Sequence, residues 1–198
     1  MRAIIVAAER IFAERGFGGT TTQAVADLAG LPKANVHYYF PGKFDLYTRV
    51  LEDILEEWIT DAAIFDGSDD PETVFRAYIR RKMEHSFTRP HASKLWAMEV
   101  IGRGEVFDNV LKAPFLEWND KKVEQIQSWI ERGKIAPLNP QYALFSIWAQ
   151  TQHYADFEYQ IRAVNGGQPL DRRQREEAIE FVCTQFLRGI MLGHSTPG

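Results

Sequence analysis

Residues 16–47 impose the strongest constraint on what this chain can fold into. Two short amphipathic stretches are joined by a turn of three residues that includes Gly30. That is the layout of a helix-turn-helix. The second stretch offers small and polar side chains first, then aromatics, and Lys43 follows. A helix built in that order can enter a DNA major groove and grip the flanking phosphates.

Each side chain in the motif has an expected task. Ala26 and Ala29 allow close helix approach, and Val25, Leu28 and Val36 supply a miniature core. A plain helical hairpin would leave Thr21, Lys33, Asn35 and His37 without a polar partner, whereas a duplex supplies one. Lys33, Ala34 and Asn35 open the second helix, where side chains reach base edges. Asn can pair bidentately with adenine and Ala can touch a thymine methyl. His37 can meet either a base or a phosphate. One of Tyr38 and Tyr39 can bond a phosphate through its hydroxyl while the other packs inward. Lys43 begins the next helix, so its ammonium and the free N–H groups there make a phosphate grip. Thr21 and Thr22 complete the expected DNA contacts.

The net charge of −4 at first argues against nucleic acid, but the charge is unevenly placed. Residues 1–50 carry six Arg or Lys against four acids, a charge of +2, leaving −6 on the remainder. A small basic reader on an acidic body binds DNA through one end only. The modest +2 predicts weak binding by one chain and a need for two. The single Cys183 excludes an internal disulfide and fits a reducing cytoplasm. No apolar run approaches the ~18 residues of a membrane span. Met1–Ile5 is too short an apolar start before Glu9 and Arg10 for a signal peptide.

The whole chain reads as all-α, with about nine helices in two domains. Residues 1–47 form a three-helix helix-turn-helix domain and 48–198 a helical ligand-binding and dimerisation domain. Gly16 closes the first helix, Thr20 with Gln23 forms a capping box for the second, and Pro32 opens the third. A fourth helix is expected over 43–65 and a fifth over 71–89. Three more segments lie between Pro90 and Pro137. Asn139-Pro140 starts a helix reaching Val164, and Asp171, with Gln174 as box partner, caps the last.

Helix one together with the pattern G-x-x-x-T-T-x-x-x-V-A-x-x-A-G-x-x-K-x-x-x-x-Y-Y-F-x-x-K-x-x-L-Y resembles the TetR family of one-component repressors over residues 1–50. The resemblance implies an all-α homodimer, paired through its last two long helices, whose recognition helices read a near-palindromic operator. A dimer sets those helices one DNA turn (~34 Å) or somewhat more apart. A small molecule held in the C-terminal body then shifts helix four and releases the DNA. Family arms that precede helix one have almost no counterpart before Ile4, so either the chain is trimmed or arm contacts are lacking.

The body is more informative than is usual for the family. Ser146–Phe157, with its run W-x-x-T-Q-H-Y-A-D-F, is similar to the pyrimidine-utilisation (RutR-type, YcdC-like) regulators. Tyr78–Lys82, Pro90–Glu99 and Gly133–Pro137 share that likeness. It implies a planar pyrimidine or related heterocycle as effector. Trp148, Gln152, Ala155 and Tyr159 fall on one helix face by their spacing. An indole can stack on a flat base, and a carboxamide can both give and accept a hydrogen bond at an imide edge. Arg80, Lys82 or Glu99 can complete the polar set, with Met98 beside Glu99. Trp148 reads equally well as core, and Trp96 and Met98 read more readily as core than as lining.

Two rival readings remain. The aromatic content, 13% of the chain, suits a multidrug-type regulator with a broad pocket for bulky aromatic or cationic compounds. A body that only dimerises is the other. His85, His91, His153 and His194 show no metal-ligand spacing, and no cofactor motif or nucleophile with its base appears. No cofactor is therefore expected, and the protein is read as a cytoplasmic regulator, not an enzyme. Cys183 lies on the apolar face of Ile179, Val182, Phe186 and Ile190 and reads as core.

Overall fold

The computed structural model describes residues 1–191, so His194 lies outside the described residues. Helices account for nearly all of the regular structure: α1 (Arg2–Gly19), α2 (Thr22–Ala29), α3 (Lys33–Tyr39) and α4 (Lys43–Asp61) come first. They are followed by α5 (Ile64–Gly67), α6 (Pro71–Thr88), α7 (Pro90–Ile101) and a π-helical turn, Phe107–Leu111. The chain continues through α8 (Lys112–Glu131), α9 (Pro140–Asp156), α10 (Glu158–Val164) and α11 (Arg172–Ile190). No strand occurs among the described residues.

Two compact units result. The first comprises Met1–Trp58 and Arg89–Phe115, the second Ile59–Thr88 and everything described from Leu116 onward. The unit that holds the helix-turn-helix is thus larger than residues 1–47, because α7 packs along α1.

Within the first unit, Ile4, Ile5, Ala8, Ile11 and Phe12 of α1 are buried, as are Leu46, Val50, Leu51 and Ile54 of α4. Arg89, just before α7, ties the two helices together by pairing with Glu9 of α1 and with Asp53 and Glu57 of α4. Gly16 leaves the helical region (φ 68°, ψ 174°) and kinks α1 one turn before its end.

Within the second unit α6 packs against both α9 and α11. Its core is aromatic: Phe65, Phe75, Tyr78 and Trp129 are buried and meet mostly edge-to-face. Such pairs add about 0.5–1.5 kcal/mol each beyond the area they bury.

Several local expectations are revised. The second helix is capped by Thr21, whose hydroxyl accepts from the Ala24 amide at 3.1 Å. Thr20 is buried and instead donates to the Gly16 carbonyl at 2.8 Å, sealing the kink. Pro32 sits at the cap of α3 and Lys33 is its first helical residue. The fourth helix stops at Asp61 and resumes as α5. Pro114 does not interrupt α8, which runs on without a break from the π-helical turn just before it. The helix expected over 140–164 breaks at Phe157 (φ −109°, ψ 25°). The capping box at Asp171 forms as read, with Gln174 reaching back to the Asp171 amide.

Candidate DNA interface and effector site

The helix-turn-helix is assembled by its own short-range chemistry. Gly30 adopts the left-handed conformation (φ 66°, ψ 31°) that ends α2, and its amide returns to the Ala26 and Asp27 carbonyls. A side chain there would be strained, which explains the glycine. Leu31 follows with a bond to the Ala26 carbonyl at 3.0 Å. Val25, Ala26 and Val36 are completely buried where α2 and α3 pack. Leu28 is not part of that seam, being almost half exposed.

On the outer side, Lys33, Ala34, Asn35 and His37 are all exposed, as is Thr21, with Thr22 half-buried at the start of α2. The rings of Tyr38 and Tyr39 meet edge-to-face at 5.1 Å. Neither tyrosine packs inward: Tyr38 is 82% and Tyr39 46% exposed. Inward packing falls instead to Phe40.

Lys43 departs most from expectation. Its ammonium donates to the carbonyls of Phe17 (2.7 Å) and Thr20 (3.0 Å) and lies 4.3 Å from the centre of the Phe17 ring. It caps the carbonyl end of α1 and holds α4 to it, a charge-assisted job that sequence spacing does not reveal.

The residues expected to bind an effector are distributed over both units. Met98 and Glu99 belong to the first unit, whereas Arg80, Lys82, Trp148, Gln152 and Tyr159 belong to the second. Glu99 is buried, and both of its carboxylate oxygens are engaged, by the Tyr47 hydroxyl at 2.8 Å and the Phe107 amide at 2.9 Å. Met98 is half-exposed near Gly16. Tyr159 sits beyond the Phe157 break, on α10, and is 89% exposed, so it does not share the face of Trp148. Arg80 pairs at the surface with Glu176 and Glu180 of α11.

Three residues remain close to the α6–α9 seam: Lys82, Trp148 and Gln152. The Trp148 indole donates to the Tyr78 hydroxyl at 3.1 Å and stacks on Trp118 with centroids 5.9 Å apart. One turn on, Ser86 donates to the Thr151 carbonyl at 2.8 Å and joins α6 to α9. Lys82 is buried, which pushes its ammonium pKa down to about 8 against the partial support of Asp156 and Asp61. Asp61, the last residue of α4, pairs with His85 and Arg81. Gln152 is half-buried, and its carboxamide makes no hydrogen bond among the described residues. Tyr78, His85 and Asp156 were missed from sequence because each reads alone as an ordinary core or surface residue.

The sequence comparisons separate regulator from unrelated helical protein. Residues 4–50 match the family model of bacterial regulatory proteins, tetR family, and residues 51–193 match the YcdC-like protein C-terminal region. The chain belongs to the TetR family. It is a helix-turn-helix DNA-binding regulator with a YcdC-like body. It is 38% identical over 189 residues to the HTH-type transcriptional regulator RutR of Escherichia coli K12, covering 96% of this chain and 89% of that one. The RutR of Shigella flexneri matches to the same extent.

Solved TetR-fold structures agree in architecture. The ketosteroid transcriptional regulator KstR2 of Mycobacterium tuberculosis aligns with a TM-score of 0.74 at 18% identity, covering 98% of this chain and 96% of that one. AibR in complex with isovaleryl coenzyme A and operator DNA aligns at 0.71 and 18%, covering 93% and 96%. At such identities the likeness concerns the fold alone. No helix among the described residues is long and apolar enough to cross a membrane.

Proposed function

We propose that the protein is a ligand-responsive repressor that binds a near-palindromic operator as a homodimer and is released by a small planar heterocycle of the pyrimidine class. The observation that carries the effector reading is the unspent, half-buried Gln152 carboxamide, one turn from the stacked Trp148. A carboxamide can satisfy the alternating donor and acceptor of an imide edge, and an indole offers its face to a flat ring. Lys82, buried on α6, would add a donor for a carbonyl oxygen. Arg80, Met98, Glu99 and Tyr159 drop out of this set. The RutR likeness favours a metabolite sensor over a multidrug-type regulator.

Release follows from the continuity of α4. Asp61 ends this helix beside Lys82 and His85, and Lys43 begins it on the carbonyls of α1. An effector that rearranges the charges around Asp61 pulls on a helix of about 28 Å. Effector and operator then weaken each other's binding by the same factor. Pairing of two chains is supported by the exposed aromatics Tyr142 and Phe145 of α9 and Phe181 of α11, beside an open groove of about 610 Å³ between these helices. The reading assigns no catalytic reaction and places the protein with bacterial DNA in the cytoplasm.

A thermal-shift screen against uracil, thymine, other nucleobases and cationic dyes tests the effector. At ~100-fold over Kd a ligand specific for the folded state adds about 2.7 kcal/mol, which is readily seen. The expected result is a shift with a pyrimidine that disappears in Gln152→Ala while DNA binding persists. A shift with bulky cations only would move the assignment to the multidrug class.

A further inference from the structure

Glu99 is a buried carboxylate engaged by two separate parts of the first unit, and the repressor reading above gives it no task. One oxygen accepts from the hydroxyl of Tyr47 on α4, the other from the amide of Phe107, where the π-helical turn starts. The intervening turn is wrapped tightly around it. The Gly104 amide donates to the Glu99 carbonyl at 2.8 Å, and a Cβ on Gly104 would lie 2.0 Å from the carboxyl carbon. Arg103 takes a left-handed conformation (φ 51°) that a non-glycine residue adopts only at a cost. Strained residues and π-helical turns are each found often at functional positions.

The Tyr47 end leads directly to the reading helices. The Tyr47 ring packs edge-on against Phe12 (4.9 Å) and Phe17 (5.1 Å) of α1. Lys43, one turn earlier on α4, holds the carbonyls of Phe17 and Thr20. The next residue, Thr21, caps α2. Burial, reinforced by the adjoining carboxylate, pushes the Tyr47 phenol well above its ordinary value, so it stays a donor.

We propose that Glu99 is a positioning residue for DNA recognition, fixing the first turns of α4, and with them the helix-turn-helix, against the Gly102–Leu111 segment. A change in that segment is passed to α4 through one shared carboxylate. The proposal rests on the family's DNA-binding function and needs no effector.

The test uses the full chain and a duplex that the unaltered protein selects from a randomised pool. Tyr47→Phe keeps the ring and removes one donor; Glu99→Gln keeps the volume but can accept at one oxygen only. Binding to the selected and to a scrambled duplex is measured by anisotropy at several salt concentrations, with folding checked by circular dichroism. Each variant should weaken the selected duplex about tenfold, as expected for loss of a hydrogen bond to a charged group, with the double variant no worse than either single one. Binding to the scrambled duplex and the salt slope should be unchanged. The proposal fails if a folded Tyr47→Phe protein binds the selected duplex as the parent does, or if both duplexes lose equally. Should Glu99→Gln not fold, Tyr47→Phe alone decides.

Discussion

Arg89 offers the sharpest test of how the first unit is held together. Its guanidinium meets Glu9, Asp53 and Glu57, and its side chain is only 19% exposed, that of Glu9 only 8%. Replacing it by Met keeps much of the volume and leaves three carboxylates facing an apolar side chain. Asp53 retains Arg2 at 2.8 Å, so the loss falls chiefly on Glu9. Removing one partner of a buried pair typically costs about 3–5 kcal/mol, mostly from the charge left behind. Partial exposure of Glu57 argues for the lower end, about 3 kcal/mol. In a chain of this size that corresponds to roughly 6–12 °C in Tm. Urea unfolding followed by circular dichroism measures it, with a second variant, Glu9→Gln on the Arg89→Met background. If the cost is an uncompensated buried charge, the neutral glutamine should recover a large part of it. A loss under about 1 kcal/mol would mark these as ordinary surface pairs. No recovery by Glu9→Gln would refute the charge argument and leave lost packing as the cause.

Two further outcomes can be stated. Lys82 carries a pKa depressed to about 8, so below that pH the folded state bears the full penalty of a buried ammonium. Stability should therefore rise as pH goes from about 8 towards the unfolded value near 10.4, by on the order of 3 kcal/mol. The Lys82→Met protein should lack that rise in urea midpoints, and parallel curves for the two proteins would refute the assignment. Lys43→Ala should weaken every duplex, because α4 loses its hold on α1. The salt slope should fall by less than the full unit of a direct phosphate contact, and a full-unit fall in filter binding would put the ammonium on DNA.

The helix-turn-helix was legible because local chemistry writes it. Gly30 and the buried Val25, Ala26 and Val36 act within a few residues of one another, so spacing alone places them, and the cap was read only one residue early, at Thr20 for Thr21. Lys43 shows the limit of that locality. From sequence it is a cation at a helix start, but its acceptors, Phe17 and Thr20, lie more than twenty residues away. The effector set suffered more. The face of Trp148, Gln152 and Tyr159 was drawn on an unbroken helix, and the break at Phe157 carries no Gly or Pro to announce it. Glu99 was read as one of the groups that could complete the polar set around a ligand, and a buried acid does demand a partner. That demand was real; the partners are Tyr47 and Phe107, brought near by the packing of α7 on α1. Sequence thus identified which polar groups had to be satisfied, and tertiary structure alone chose what satisfied them. Where it chose partners inside the protein, as for Glu99, we propose positioning in place of binding. Where it left the carboxamide of Gln152 open, the proposed binding role still awaits its ligand.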